Sequence, residues 1–363
     1  MKVLIVNPIL YTNENRNIKK VNTIKDTMIY DLCLAFKKKG CDVTLAASDL
    51  YKPSENESYP FNIIWMRTRC TKIFPPHTLP YCPEVKKIAK SGNFDLIITS
   101  EVFSLNSLKL ALCTLKNLIV WQELGKHNRI FHGLASKFWY GIVAKIGFKK
   151  ALIVARSVQA REFISKYCKN VSDTIIDHGV NIEKFTPCRE KDNQFAISSQ
   201  LISRKHIEKS IEAFAKYLNK YDDSAKLYIM GDGDEKENLR KLTKDLGADK
   251  NIIFTGKLGH NELIEILKKS IAMLVYTEKD NNMVSVVESI ALATPVITTD
   301  IPYNASYIKA EKLGIVNNNW NENDLRKLAT SDEYINNCMN YRKYLPTEYK
   351  AEQFLKLFSG EKR

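Results

Sequence analysis

The stretch from Val275 to Asp300, VYTEKDNNMVSVVESIALATPVITTD, holds the residue types and spacing best suited to chemistry. It predicts a strand ending at Tyr276, a polar loop carrying Asp280, and a helix starting near Asn282 to Val284 with Glu288 one to two turns inside it. A helix N-terminus leaves backbone N–H groups without intrahelical partners and carries the positive end of the helix dipole, so it suits a phosphate. Carboxylates on either side of such a cradle repel phosphate and would bind hydroxyls instead. The offset between Asp280 and Glu288 lets one address a sugar beyond the phosphates and the other a ribose behind them. Without that ligand, Asp280 is an N-cap or turn residue and Glu288 a solvated helix residue.

Those residues need strands and helices to hold them. Short β-branched runs recur, each followed by a segment with helical spacing: KVLIV, then Asp26 to Lys39, DVTLAA, NIIWM, DLIITS, NLIVW, ALIVA and TIID. Continuous apolar strands of this kind belong to a parallel sheet covered on both faces, an α/β doubly wound arrangement. After Pro187 and the polar run CREKDNQ the pattern starts again with FAISS, KLYIM, NIIF, AMLVY and PVITT, separated by helices near 205–221, 234–246, 262–269 and 284–293. The expected division is 1–187, 188–345 and a terminal segment, 346–363, in which YKAEQFLKLF forms an amphipathic helix. That helix either packs near the domain junction or caps the second sheet.

At 363 residues, with 44% hydrophobic and 26% charged residues, the chain fits two globular domains and excludes collagen, coiled coil and whole-chain disorder. No apolar run is long enough to span a bilayer, and MKVLIVNP has no features of a cleaved leader, so a cytoplasmic protein is expected. The eight cysteines show no zinc spacing and are expected to be reduced packing residues. A net charge of +14 points to an anionic partner. Nucleic acid ranks low because no nucleic-acid-binding motif accompanies the charge. In ASKFWYGIVAKIGFKK (135–150), aromatic and aliphatic residues alternate with Lys137, Lys145, Lys149 and Lys150. This is the pattern of an interfacial helix on an anionic membrane surface, or else of an ordinary helix covering the first sheet.

Five segments in order resemble the family-4 (group 1) glycosyltransferases of the GT-B fold: IIDHGVNIEKFTP (175–187), SSQLISRKHIEKSIEAF (198–214), KLYIMGDGDEKENL, NIIFTGKLGHNEL, and the Asp280-x7-Glu288 pair where the family carries Glu-x7-Glu. The resemblance implies two Rossmann-like domains facing across a cleft, acceptor-binding then donor-binding, with the last helix crossing back to the first. It implies a metal-independent, retaining hexosyltransferase without a bound cofactor. Such an enzyme would move sugar from a nucleotide-diphosphate donor to a glycan or lipid-linked saccharide, as in bacterial surface polysaccharide assembly, at the inner face of the cell membrane. By position Glu288 would hold the ribose and Asp280 the sugar hydroxyls. Lys205 would neutralise the departing diphosphate, and the amides of Asn282, Met283 and Val284 would face it.

Departures from the family pattern are Gln200 in place of the arginine that partners the lysine, with Arg204 a substitute, and Asp280, Met283 and Ala293 at positions usually Glu, Gly and Gly. Gly231 and Gly233 would let backbone approach the nucleotide, and Gly256 the base; plain turns explain all three equally. Asp232 and Asp234 imitate a DxD metal motif but sit in a strand-to-helix turn of a metal-free pattern. In the first module the family's glycine-rich loop is replaced by NPILYTNENRNIKKVNT, a longer basic loop expected near donor phosphates or acceptor. Glu123 and His127, after NLIVW, are candidates for acceptor orientation or proton handling, and His178 for donor contact. Ser100 and Glu101 are candidates for lining the acceptor side. The rival readings are a sugar-nucleotide epimerase and a catalytically silent nucleotide-binding partner of another transferase.

Overall fold

The β-branched runs become strands because their side chains point alternately to two faces, and both faces are apolar. In Val3, Leu4, Ile5 and Val6 every side chain is buried, as expected for a central parallel strand covered by helices on both sides. The structure is a computed structural model that describes residues 1–11, 18, 20–113, 117–128, 133–280 and 282–360. It divides into two units, Met1–Gly179 with Thr347–Arg363, and Val180–Pro346.

The first unit contains β1 (Lys2–Val6), β2 (Asp42–Ser48), β3 (Asn62–Met66), β4 (Leu96–Ser100), β5 (Leu118–Gln122) and β6 (Leu152–Ala155). They form one sheet in the order β3-β2-β1-β4-β5-β6, every pairing parallel. The second unit contains β7 (Gln194–Ser198), β8 (Lys226–Met230), β9 (Ile252–Gly256), β10 (Ala272–Leu274), β11 (Val296–Thr298) and β12 (Gly314–Val316). Its order is β12-β11-β10-β7-β8-β9, again all parallel. Counted from each unit's first strand, both follow the 3-2-1-4-5-6 order of a doubly wound sheet. The order reverses between β1 and β4 in one unit and between β7 and β10 in the other. Ligands in such sheets bind beyond the carboxyl ends of the strands at that crevice.

Three expectations about elements change. TIID is not a strand: the Ile176 amide donates to the Ala155 carbonyl at 3.0 Å, and no ladder is assigned there. β10 stops at Leu274, so Val275 and Tyr276 already belong to the loop. β12 has only three residues, too few to show as an apolar run. Of the expected basic loop, 12–17 and 19 lie outside the described residues.

The last helix, Thr347–Ser359, belongs to the first unit. It lies against the helix Met28–Lys38, with Phe36 and Phe354 6.1 Å apart and ion pairs Lys38–Glu348 (2.8 Å) and Lys39–Glu352 (2.9 Å). The Lys350 ammonium, nearly buried, pairs with Asp177. Gly179 is glycine because a Cβ there would stand 2.6 Å from the Thr347 Cα. The chain leaving the sheet therefore touches the start of the returning helix backbone to backbone.

Candidate functional site

In the second unit, the crevice between β7 and β10 is walled by Ser198, Ser199, Lys205, Tyr276 and Met283. Lys205 ends a 3-10 turn, Ser203–Lys205, immediately before the helix Ile207–Lys220. Its ammonium donates to both carboxylate oxygens of Asp280, at 2.9 and 2.7 Å. Arg204 reaches the same carboxylate at 3.4 Å and the Lys279 carbonyl at 2.8 Å, and the Thr277 hydroxyl donates to Asp280 at 2.6 Å. Lys205 and Asp280 are 11% and 14% exposed, so little water screens the pair. The structure thus brings together the two elements the sequence singles out, the lysine turn and the loop after Tyr276.

His206 follows at φ +41°, a left-handed conformation that strains a side chain bearing Cβ. The strain is offset by contacts of its ring with Glu208 (2.7 Å) and Glu278 (2.8 Å), which tie the helix to the Asp280 loop. The hydrogen bond to Glu208 is the chief cause of a raised imidazole pKa.

The helix carrying Glu288 runs Val284–Ala291, with Met283 as its N-cap residue. The Met283 amide does not face outward: it donates to the Asn304 side-chain oxygen at 2.6 Å. Asn304 is buried, and its Nδ2 returns a bond to the Met283 carbonyl (3.3 Å) and another to the Tyr307 hydroxyl (2.7 Å). Of the three amides expected at a phosphate, Met283 is therefore committed to the fold. Glu288 lies 3.0 Å from the ring of His260, which begins the helix His260–Lys269. Asn304, Thr277 and His260 escaped the sequence reading, although Thr277, inside the TEKD loop, and His260, inside NIIFTGKLGHNEL, lay within stretches already singled out.

Gln200 is exposed, and Arg204 reaches Asp280 at 3.4 Å. Gly231 and Gly233 serve backbone packing: Cβ atoms there would lie 1.8 Å from the Ser199 carbonyl oxygen and 2.3 Å from that of Leu201. Gly256 needs its freedom for φ +73°, and an added Cβ would meet nothing. Ala293, at φ +60° and fully buried, follows the end of the Glu288 helix, so its position is a helix stop. Asp232 pairs with Lys236 at 3.2 Å. Among the described residues no cluster of three His, Cys, Asp or Glu is placed to hold a metal ion.

In the first unit the ends of β4, β5 and β6 gather Glu101, Glu123 and Arg156, joined by His178. Arg156 is buried, lies 3.7 Å over the Trp121 ring, and donates to Glu123 (2.8 Å) and to His178 Nε2 (3.1 Å). Burial opposes ionisation of Glu123, but the neighbouring His178 and the Arg156 charge outweigh it and bring its carboxyl down to about 2. Glu101 goes the other way, to about 7, because burial dominates despite the pull of Arg156. At φ +66° it accepts the Glu123 amide at 2.7 Å, bracing the turn after β5. Arg156 was missed, although it directly follows the apolar run ALIVA and so stands at a strand's carboxyl end.

His127 is not drawn into that cluster. Its ring nitrogens lie 3.1 Å from the hydroxyls of Ser136 and Tyr167, and Tyr140 and Phe163 pack edge-on around it. Burial and then the Lys137 charge lower its pKa. Ser100 donates to the Asn7 side-chain oxygen, linking the ends of β4 and β1.

Residues 181–341 match the family described as glycosyl transferases group 1. Over 266 residues the chain is 26% identical to alpha-monoglucosyldiacylglycerol synthase of Streptococcus pneumoniae, covering 66% of this chain but 59% of that protein. It is 28% identical over 171 residues to the O-antigen chain mannosyltransferase RfbU of Salmonella typhimurium, covering 46% of this chain and 47% of that one. The chain thus spans about half to three fifths of the length of these relatives. The crystal structure of Anabaena HepE in complex with UDP-glucose superposes with a TM-score of 0.64 at 11% identity, covering 99% of both chains, a likeness of fold. Through 181–341 the chain is similar to the group 1 glycosyltransferases, and its two doubly wound α/β units are those of the GT-B fold.

Proposed function

We propose that this protein transfers a sugar from a nucleoside diphosphate, held at the β7/β10 crevice of the second unit, to the hydroxyl of a glycan or lipid-linked saccharide. The observation that carries the reading is the Lys205–Asp280 contact beside the helix that bears Glu288. The solved complex of HepE with UDP-glucose and the relatives named for glucosyl and mannosyl transfer support it. The names of those relatives also favour surface polysaccharide or glycolipid assembly as its setting.

Lys205 would exchange Asp280 for a diphosphate oxygen, holding the leaving group's charge in a site that little water reaches. Asp280, released, would accept a donor-sugar hydroxyl, Thr277 keeping its carboxylate aimed. Glu288, braced by His260, would take the ribose hydroxyls. With the departing phosphate oxygen receiving the acceptor's proton, the reaction would proceed with retention and without metal. Arg156 holds Glu123 as an anion, and that pair is the first unit's candidate for orienting an acceptor hydroxyl.

A specific observation favours the silent-partner reading: the Met283 amide is spent on Asn304 and no arginine stands at 200. A thermal-shift screen of nucleotide sugars, followed by a transfer assay with the donor that shifts, separates the two. Acceptor-dependent product that disappears in Glu288→Ala and Lys205→Ala is expected. Binding without product would favour the silent partner, and product without acceptor an epimerase.

A further inference from the structure

The segment that begins at Leu134 has two apolar faces, and only one is used by the fold. Tyr140, Ala144 and Phe148 are buried in the first unit's core. On the other side Leu134, Phe138, Ile142 and Ile146 are 70%, 61%, 50% and 63% exposed. They recur every four residues. In an α-helix such a row drifts about 40° per step around the axis. Here the helix Leu134–Phe138 passes into a π-helical turn, Trp139–Ala144, whose wider winding offsets the drift and keeps the row on one side.

Beside this row lies a cavity of about 220 Å³, walled chiefly by Ile73, Phe74, Leu79, Phe103, Phe138 and Trp139. Two of its polar side chains are engaged in the fold. The Trp139 indole N–H donates to the Val102 carbonyl at 2.9 Å, and the Ser104 hydroxyl caps its own helix. The lining is chiefly apolar, so the cavity offers mainly dispersion contacts, which suits an alkyl chain better than a sugar. On the same segment Lys137, Lys145, Lys149 and Lys150 are exposed, and no carboxylate occurs from 134 to 150.

We propose that this face seats on an anionic lipid bilayer and that the cavity takes one acyl chain from it. A protein groove wants polar groups placed to fix a partner; a row of apolar side chains flanked by unshaped positive charge fits a surface whose negative charge is spread. The proposal stands apart from the donor site in the second unit.

Flotation with phosphatidylglycerol–phosphatidylcholine vesicles against phosphatidylcholine alone tests the surface. The wild type is expected to float with the anionic vesicles only. Ile142→Ser/Ile146→Ser and Lys145→Glu/Lys149→Glu/Lys150→Glu, all at exposed positions, are each expected to cut the bound fraction at least tenfold. Lipids brominated on the acyl chain should quench a fluorescence component that is absent in Trp139→Phe. Equal flotation of wild type and variants overturns the surface, and flotation without that quenching overturns the chain site. Self-association in sedimentation, abolished by Ile142→Ser/Ile146→Ser, would assign the face to a second copy and overturn the lipid. Donor consumption without vesicles is expected to be unchanged in both surface variants, so failure here is distinguishable from failure of the transferase reading.

Discussion

At the crossover between β7 and β10 the second unit gathers Lys205, Arg204 and Asp280, whereas at the crossover between β1 and β4 the first gathers Asn7, Ser100 and Glu101. The strand order is the same; the chemistry is not. In the second unit the charges are on side chains from two loops and Lys205 and Asp280 pair across them, so a ligand of matching charge can replace either partner. In the first, Glu101 is spent on backbone amides and Ser100 on Asn7, and the exchangeable charge sits one strand over, in the Glu123–Arg156 pair after β5 and β6. A doubly wound sheet decides where a site is permitted, and loop side chains decide whether it binds an anion or orients a hydroxyl.

The comparison is most easily broken at Lys205. If the second unit holds the diphosphate, Lys205→Ala should lower transfer about 100- to 1000-fold. It should also destabilise the fold, since Asp280 keeps its place without its main cation, and Lys205→Ala/Asp280→Ala should recover part of that stability in denaturant titrations. Transfer near wild-type level in Lys205→Ala would move the donor site elsewhere.

In the first unit Arg156→Ala is expected to cost about 2 to 4 kcal/mol, because it leaves the Glu123 carboxylate without its cation, and Glu123→Gln in the same chain should return part of it. With the Glu123 carboxyl held near 2, this stabilisation is present above about pH 4.5 and fades as pH falls toward 2. An acid limb unchanged by Arg156→Ala would show that the pair contributes nothing to the fold.

Glu101 has the opposite linkage. Its folded carboxyl titrates near 7, above its ordinary value of 4.5, so the folded state binds the extra proton between those values. Its contribution is full below about 4.5 and is lost as pH rises through 7, with a slope no steeper than about 1.4 kcal/mol per pH unit. Glu101→Gln should flatten that limb and leave the acid limb in place, as read from unfolding free energies across pH 4 to 8.

The smallest effect belongs to Ala293. Glycine there relieves left-handed strain but removes a buried methyl, so Ala293→Gly should change stability by no more than about 1 kcal/mol and leave transfer unaltered. A tenfold change in transfer would show that the position acts on the donor and not only on the helix end.

Much of the fold was legible because its determinants are local. Apolar runs such as KVLIV and ALIVA, with helical spacing between them, specify parallel strands wherever they lie, and Lys205, Asp280 and Glu288 fall within motifs of fixed spacing. TIID failed as a strand although its composition is right, because pairing depends on a neighbour that the segment itself does not encode. His127 looked available for proton handling until Ser136 and Tyr167, distant in sequence, enclosed its ring. The Met283 amide looked free for the same reason: its acceptor, Asn304, is twenty-one residues away.

The sequence by itself determined the repeated α/β pattern, the basic charge, the motifs that resemble those of group 1 glycosyltransferases and the mixed apolar and basic character of the segment near 135–150. Only the tertiary structure decided that Arg156 holds Glu123, that Asn304 takes the Met283 amide, and that the Glu101 and Glu123 carboxyls part company. Local pattern records what each residue offers to its near neighbours. A hydrogen-bond partner or a perturbed proton affinity depends on atoms brought close in space from remote parts of the chain, and on the water excluded when they meet.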